Sequence, residues 1–470
     1  MAQPVALWGE PQVDMKLLVE NILVQHRPDM VYYENLYREL HANPELSLQE
    51  NATAFRVAKH LRTLGLEVRT EIGGHGVVGI LRNGLGKTVL LRAELDALPV
   101  QERTGLEFAS TKKMVDITDD VEKPVMHACG HDMHMSSLLA ASELLHSCRD
   151  HWAGTLLVLF QPNEEHGAGA QAMIDDGLYD EAKFAIPKPD VVLGGHVMPM
   201  RAGMIGTRKG VFNSAANSYR AVLYGRGGHG CRPHMTVDPV VLASSTVLKL
   251  QTIVSRETNP LESVVVTVGS LHAGETENVI SDEATLRINT RSFSTHVRDR
   301  VKTAIERIIN AECQASGSPK PPLIEEIGSF PLLRNDEATT EIVSEAFRAR
   351  FGKDFDPESP VSMGSEDFAN LADPISAPCC FWNYGGIDPH RWDDAKMKGK
   401  LGEIPGNFSL GQSGLAVGIQ IKRHLSCMYI YTGNHNALFA PAIQPTLTVA
   451  IDAYVVAALA FLIKNPGRSA

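Results

Sequence analysis

Apolar positions along this chain keep two alternating rhythms. Val31 to Leu40 spaces them three and four apart, which predicts an amphipathic helix, and Pro44 disfavours helix at Asn43. Gln49 to Leu64 predicts a second helix, closed by Gly65. Strands are expected around Leu66–Glu71 and Val77–Leu81, and Thr88–Leu95 is a nearly continuous apolar run of strand length, as a strand covered on both faces requires. A charged loop, Gln101–Pro124, leads to the stretch Met126–His134. After it come a helix over Met135–Cys148, a buried strand Gly154–Phe160, a helix beginning in Gly167–Asp176 and a strand Asp190–His196. Residues 1–30 are weakly patterned. Strands alternating with helices predict a mostly parallel α/β sheet, in which ligands gather beyond the carboxyl ends of strands. Asp96, Glu164, Glu165 and His196 all fall at such ends.

Around residue 212 the order becomes βαββαβ. Strands are expected at Asn217–Tyr224, Ser263–Leu271, Ala284–Arg291 and Leu323–Ile327, with helices at Pro239–Arg256 and Val297–Ser316. The fold class is therefore α/β: a mixed, mostly parallel catalytic sheet with an inserted ferredoxin-like α+β satellite domain. The boundaries read as 1–211 with 330–470 for the catalytic domain and 212–329 for the satellite. Glu337–Phe351 and Thr448–Leu462 predict helices and Pro378–Tyr384 a strand. The region 406–432 is locally apolar and without clear period.

Composition narrows the function. The formal charge of −11 argues against a nucleic-acid surface. Seven cysteines, with no Cys-x-x-Cys pair, suit a reducing compartment better than a disulfide framework. The first ten residues lack the basic start and apolar run of a secretory signal, and the apolar run Ala453–Ile463 is too short to span a bilayer. A cytoplasmic protein without a membrane partner is expected.

Met126–His134 packs three histidines, a thiol and a carboxylate into nine residues. Cys129 and His131, one residue apart in a glycine-containing loop, can both bind a borderline divalent ion; the alternative is a small buried thiol beside a hydrogen-bonded imidazole. Asp132 and His134 read as supporting groups and His127 as structural. Glu164 and Glu165 leave a strand pointing to opposite sides, so one carboxylate can bind metal while the other faces water or substrate; the alternative is an exposed acidic pair at a helix start. His196 and His435 are each, alone, ordinary loop histidines. Together with Cys129, His131 and Glu165 they supply five ligand-type groups, enough for two ions with a shared ligand. In the satellite, four glycines and two histidines within Gly225–His234 suit a histidine that donates to an oxyanion better than a phosphate loop, since no Lys-Ser/Thr follows.

These segments, with Leu40–Leu46, Leu91–Pro99, Phe160–Glu165, Glu277–Ile280 and Met363–Phe368, run in an order that resembles the amidohydrolase branch of the M20 metallopeptidase clan. The resemblance implies a dinuclear centre of two divalent ions (manganese or zinc) held by Cys129, His131, Glu165, His196 and His435, with Glu164 as general base and Asp96 orienting a ligand. It further implies His229 as an oxyanion donor, in some members acting across a dimer, with Asn278 near the substrate and Arg291 a candidate grip on its carboxylate. The implied reaction is hydrolysis of the amide of an N-acyl amino acid or conjugate, with a dipeptidase or carboxypeptidase, or a non-catalytic metal-binding homologue, as alternatives. The implied assembly is a homodimer through the satellite. The chain departs from the branch at Glu94, usually Asp, at Ser281, usually Pro, and by an insertion between Pro405 and Asn434.

Overall fold

The computed structural model describes residues 12–398 and 434–464. An eight-stranded sheet forms the larger part. Its spatial order is 67–72, 76–83, 154–161, 88–94, 191–201, 379–387, 205–206, 355–356. The four central strands, 154–161, 88–94, 191–201 and 379–387, run parallel, while 67–72 and 76–83 join antiparallel at one edge. The mixed, mostly parallel sheet expected from the sequence is present.

Thr88–Glu94 shows why its apolar run is unbroken. Val89, Leu91 and Ala93 enter one core, built with the helices Met30–Ala42, Asn51–Thr63, His131–Ser147, Glu337–Phe351 and Ile443–Leu462. Leu90 enters a second core on the opposite face, with Met173, Phe368 and Phe381. Burial of each Val, Leu, Met or Phe among these contributes about 1.5–3 kcal/mol. Ile443–Leu462 is long and apolar enough to cross a membrane, with a mean hydropathy of 1.8, but 78% of that window is buried inside the protein. It is longer than the expected Thr448–Leu462, and its apolarity serves the core.

The satellite sheet has the order 264–272, 283–292, 215–224, 323–330, all antiparallel, with the helices Pro239–Thr252 and Thr295–Ala315 packed on it. This is the ferredoxin-like order. The two chain crossings, Gly210–Asn213 and Leu333–Asn335, pair with each other as a short antiparallel neck.

Several elements depart from the sequence reading. Gln12–Gln25 is a helix whose Ile22 and Leu23 are buried while Leu17 and Val24 are exposed; its apolar residues spread over more than one face and hide the period. The loop Gln101–Pro124 contains a hairpin, Lys113–Asp116 with Val121–Pro124, made of charged strands joined by backbone bonds and the Lys123–Asp116 pair. The helix after the metal-type stretch begins at His131, not Met135. The insertion at 406–432 lies outside the described residues.

Candidate metal centre

The groups singled out in the sequence converge at the carboxyl ends of the central strands. Gly130 adopts φ +81°, and a side chain there would strike Val197. This left-handed residue turns the chain directly into His131–Ser147, so Cys129 and His131 flank the turn and Asp132 lies in the first helical turn, where negative charge is favourable. His131 donates from Nδ1 to the Asp96 carbonyl at 2.8 Å, which leaves Nε2 as the ring's free lone pair. That Nε2 lies 3.8 Å from Glu164 Oε2 and 3.8 Å from Glu165 Oε1.

Glu164 and Glu165 follow the strand Gly154–Gln161. The Glu165 backbone N–H donates to Asp96 Oδ2 at 3.0 Å, and Ser47 donates to the same oxygen at 2.7 Å. Asp96 thus ties the His131 turn to the Glu165 turn. His196 lies inside the strand Val191–Arg201 rather than in a loop after it. It sits just beyond the last pairing with Thr88–Glu94, opposite Asn383, which still puts it at the carboxyl end of the neighbouring strand. Gly195 is required before it, because a Cβ there would fall on the Trp382 indole. His196 donates from Nδ1 to the Val197 carbonyl at 2.7 Å and presents Nε2 to Cys129 Sγ at 3.4 Å. His435, past the insertion, is positioned by its own backbone N–H on the Ala128 carbonyl at 2.7 Å, and its Nε2 reaches Glu165 Oε2 at 3.3 Å. Asn434 donates to the Cys129 and Val197 carbonyls beside it.

Cys129, Glu165 and His435 therefore form one donor cluster, and His131, Glu164 and Glu165 another that shares Glu165. His131 Nε2 and Glu165 Oε1 are buried with no hydrogen-bond partner. Donors about 2.0–2.3 Å from one ion in a tetrahedral arrangement lie roughly 3.3–3.8 Å apart, matching the spacings above. Orphaned buried donors, a thiol and imidazoles whose outer nitrogens are already satisfied fit divalent ions.

The roles of the groups around the cluster come from their tertiary partners. Glu94 and His134 come within reach of His131 and His196 and form with them a four-residue candidate donor set. Yet His134 accepts from the Val197 N–H at Nε2 (2.9 Å) and donates from Nδ1 to Glu94 (2.6 Å), so it has no lone pair left to give an ion. Arg92, fully buried, bonds Glu94, forks onto Glu366 at 2.8 and 3.2 Å and reaches Asp367 at 3.1 Å. Glu366 and Asp367 form a further carboxylate group with Glu164.

Electrostatics follow from this crowding. Burial and then the charges of Glu366 and Glu165 push Glu164 well above the usual carboxylate range. Burial also raises Glu165, while His435 opposes the shift. Glu366 rises to about 8 and Asp367 to about 6, burial leading in both. Burial raises the Cys129 thiol. Burial and the neighbouring His134 hold His196 well below its ordinary value, hence neutral. Burial alone would lower His131, but hydrogen bonds to Asp96 and Cys129 overcome it and raise it. Carboxylates and a thiol crowded around the neutral His196 and the partnerless Nε2 of His131 make a site that seeks cations.

Three satellite residues stand apart from these clusters. His229 and Asn278 are exposed; His229 pairs with Val279 on the facing strand, Asn278 lies in the turn just before that strand, and the Gly230 N–H donates to the Asn278 carbonyl at 2.8 Å. Among the described residues no hydrogen bond or ion pair joins either of them to the donor clusters. Arg291 donates to the Met363 carbonyl at 2.5 Å and to Ser365 at 3.2 Å, so it bridges the satellite to the segment that carries Glu366.

The fold and this site define a metal-dependent hydrolase of amide bonds, and the comparisons agree. Residues 90–398 match peptidase family M20/M25/M40. The chain is 38% identical over 339 residues to the hippurate hydrolase of Campylobacter jejuni, covering 72% of this chain and 84% of that one. It is 36% identical over 342 residues to IAA-amino acid hydrolase ILR1-like 2 of Arabidopsis thaliana, covering 72% and 73%. A dinuclear metal-binding peptidase of family M20 from Bacillus subtilis superposes with a TM-score of 0.65 at 25% identity, over 92% of this chain and 97% of that one. The chain belongs to peptidase family M20/M25/M40, and divalent metal is its cofactor class.

Proposed function

We propose that this protein cleaves the amide bond of N-acyl amino acids or amino-acid conjugates, with Glu164 as general base. The observation that carries the reading is the position of Glu164: a buried carboxylate with Oε2 3.8 Å from His131 Nε2, beside a donor set that shares Glu165. Cys129, His131, Glu165, His196 and His435 would hold two divalent ions. When bound, these would polarise the scissile carbonyl and make water acidic enough to be deprotonated near neutral pH. Glu164 Oε2 takes the water proton and returns it to the departing amine nitrogen. Asp96 holds the His131 and Glu165 turns in register through its carbonyl and carboxylate. His229, exposed on the satellite, would donate to the oxyanion from a second copy, Asn278 would lie near the substrate, and Arg291 would grip its free carboxylate. Zinc suits the thiolate and manganese the carboxylates. The six described cysteines are free, which supports the reducing, cytoplasmic setting expected from the sequence.

The test is Glu164→Gln, assayed on N-acetyl amino acids, N-benzoyl amino acids and dipeptides, with bound metal quantified in parallel. Hydrolysis is expected to fall by about 10²–10⁴-fold with metal content unchanged. Hydrolysis at the wild-type rate would overturn the assignment of the base, and a preference for dipeptides would favour a peptidase over an amidohydrolase.

A further inference from the structure

The motif Leu40–Leu46 and the residues after it have no part in the chemistry above, yet they touch three of the loops that build the site. His41, fully buried, sits between Asp132 (Nδ1 to Oδ2, 2.6 Å) and Glu102 (Nε2 to Oε1, 3.0 Å). Asp132 belongs to the turn of Cys129 and His131, and its Oδ1 accepts from the Met133 N–H at 2.8 Å. The Glu45 carbonyl accepts from the Ala97 N–H at 2.8 Å, and Leu46 bridges Ala97. Ser47 donates to Asp96 Oδ2.

Glu50, also fully buried, supplies the third link. Its Oε1 accepts from the backbone N–H of Leu48 at 3.0 Å and of Asn163 at 2.8 Å. Leu48 (φ +68°) and Asn163 (φ +53°) are both left-handed residues that are not glycine. One carboxyl oxygen thereby stabilises two unfavourable backbone turns, and the second immediately precedes Glu164. Glu50 Oε2 has no partner, so the group acts through a single acceptor oxygen.

We propose that His41–Glu50 is a positioning strap for the metal centre, with His41, Ser47 and Glu50 as separate positioning residues. His41 sets the Cys129–Asp132 turn, Ser47 sets Asp96, and Glu50 sets the turn that presents Glu164 and Glu165. None of them touches substrate. Each fixes a loop that supplies donors, so loosening it weakens ion binding before it harms the fold. The inference rests on the metal-dependent reading of the site.

The test uses the full chain and measures affinity for Mn2+ and Zn2+ by competition with a chromogenic chelator, beside kcat, KM and Tm. Ser47→Ala, which removes one hydrogen bond, and Glu50→Ala are each expected to weaken ion affinity about tenfold or more and to lower kcat with KM unchanged. Glu50→Gln keeps an acceptor oxygen and is expected to restore both. Asp452→Asn is the control: Asp452 is buried between Arg27 and Arg350, outside the donor clusters, and its loss should lower Tm without changing ion affinity. The strap is overturned if Ser47→Ala and Glu50→Ala bind ions like the wild type. It is equally overturned if Glu50→Gln is as impaired as Glu50→Ala, or if Asp452→Asn loses ions in step with its Tm. A wild-type chain that binds neither ion overturns the hydrolase reading itself, an outcome distinct from wild-type binding that the strap variants share.

Discussion

At His41 two carboxylates compete with burial. Burial alone would lower the imidazole, but the hydrogen bonds and charges of Asp132 and Glu102 raise it from 6.5 to about 10. A group whose proton affinity is raised on folding stabilises fully below its unfolded pKa and ceases to do so above its folded one. The contribution of His41 is therefore complete below about pH 6.5, erodes above it and is gone near pH 10. Thermal melts of the metal-free protein should lose Tm between pH 7 and 10, and His41→Gln should flatten that slope; equal slopes would remove His41 as the cause. The sequence exposed Cys129, His131 and the Glu164–Glu165 pair through residue type and spacing. It did not expose that His134 is saturated by Val197 and Glu94, because Val197 is distant in sequence and donates through its backbone.

The helix His131–Ser147 is where local and tertiary signals part. Its apolar and small residues surround it, and nearly every position from His131 to Leu145 is buried between the sheet and the helices 30–42 and 443–462. A helix buried on all sides has no polar stripe to mark its start, so no periodicity sets its first turn, which carries His131, apart from loop. Gly130 was the available signal, as a left-handed residue before the helix. Leu138→Ala, at a fully buried position, should cost about 2–5 kcal/mol, read as a shift of the denaturation midpoint at unchanged m-value. The strand Val191–Arg201 runs past the expected Asp190–His196 for a related reason. Its second half pairs only with the distant strand 379–387, and the glycines at 194 and 195, which resemble a turn, are there to admit the Phe368 and Trp382 rings. The helix Gln12–Gln25 leaves no helical period in the sequence because its apolar residues are not confined to one face.

For the molecule as a whole, an ion that binds the folded chain and not the unfolded one adds stability by mass action, about 2.7 kcal/mol at a hundredfold excess over Kd. Chelation should lower Tm, and returning Mn2+ or Zn2+ should restore it in a concentration-dependent way; a Tm indifferent to chelation would count against tight ions in the native state. Dimerisation through the satellite is tested by sedimentation, where a monomer at assay concentration would leave His229 without a second copy to serve. The alternating strand and helix rhythm, the switch to βαββαβ and the five ligand-type residues were determined by the sequence alone, since each depends on local periodicity or residue chemistry. Tertiary structure decided which lone pairs face the centre, because that depends on the partner each outer nitrogen finds across the chain. It also decided that His435, far from Cys129 and Glu165 in sequence, reaches Glu165, and that His41–Glu50 braces three loops. Such contacts are made by backbone groups and buried charges far apart in the chain, whose pairing no local pattern records.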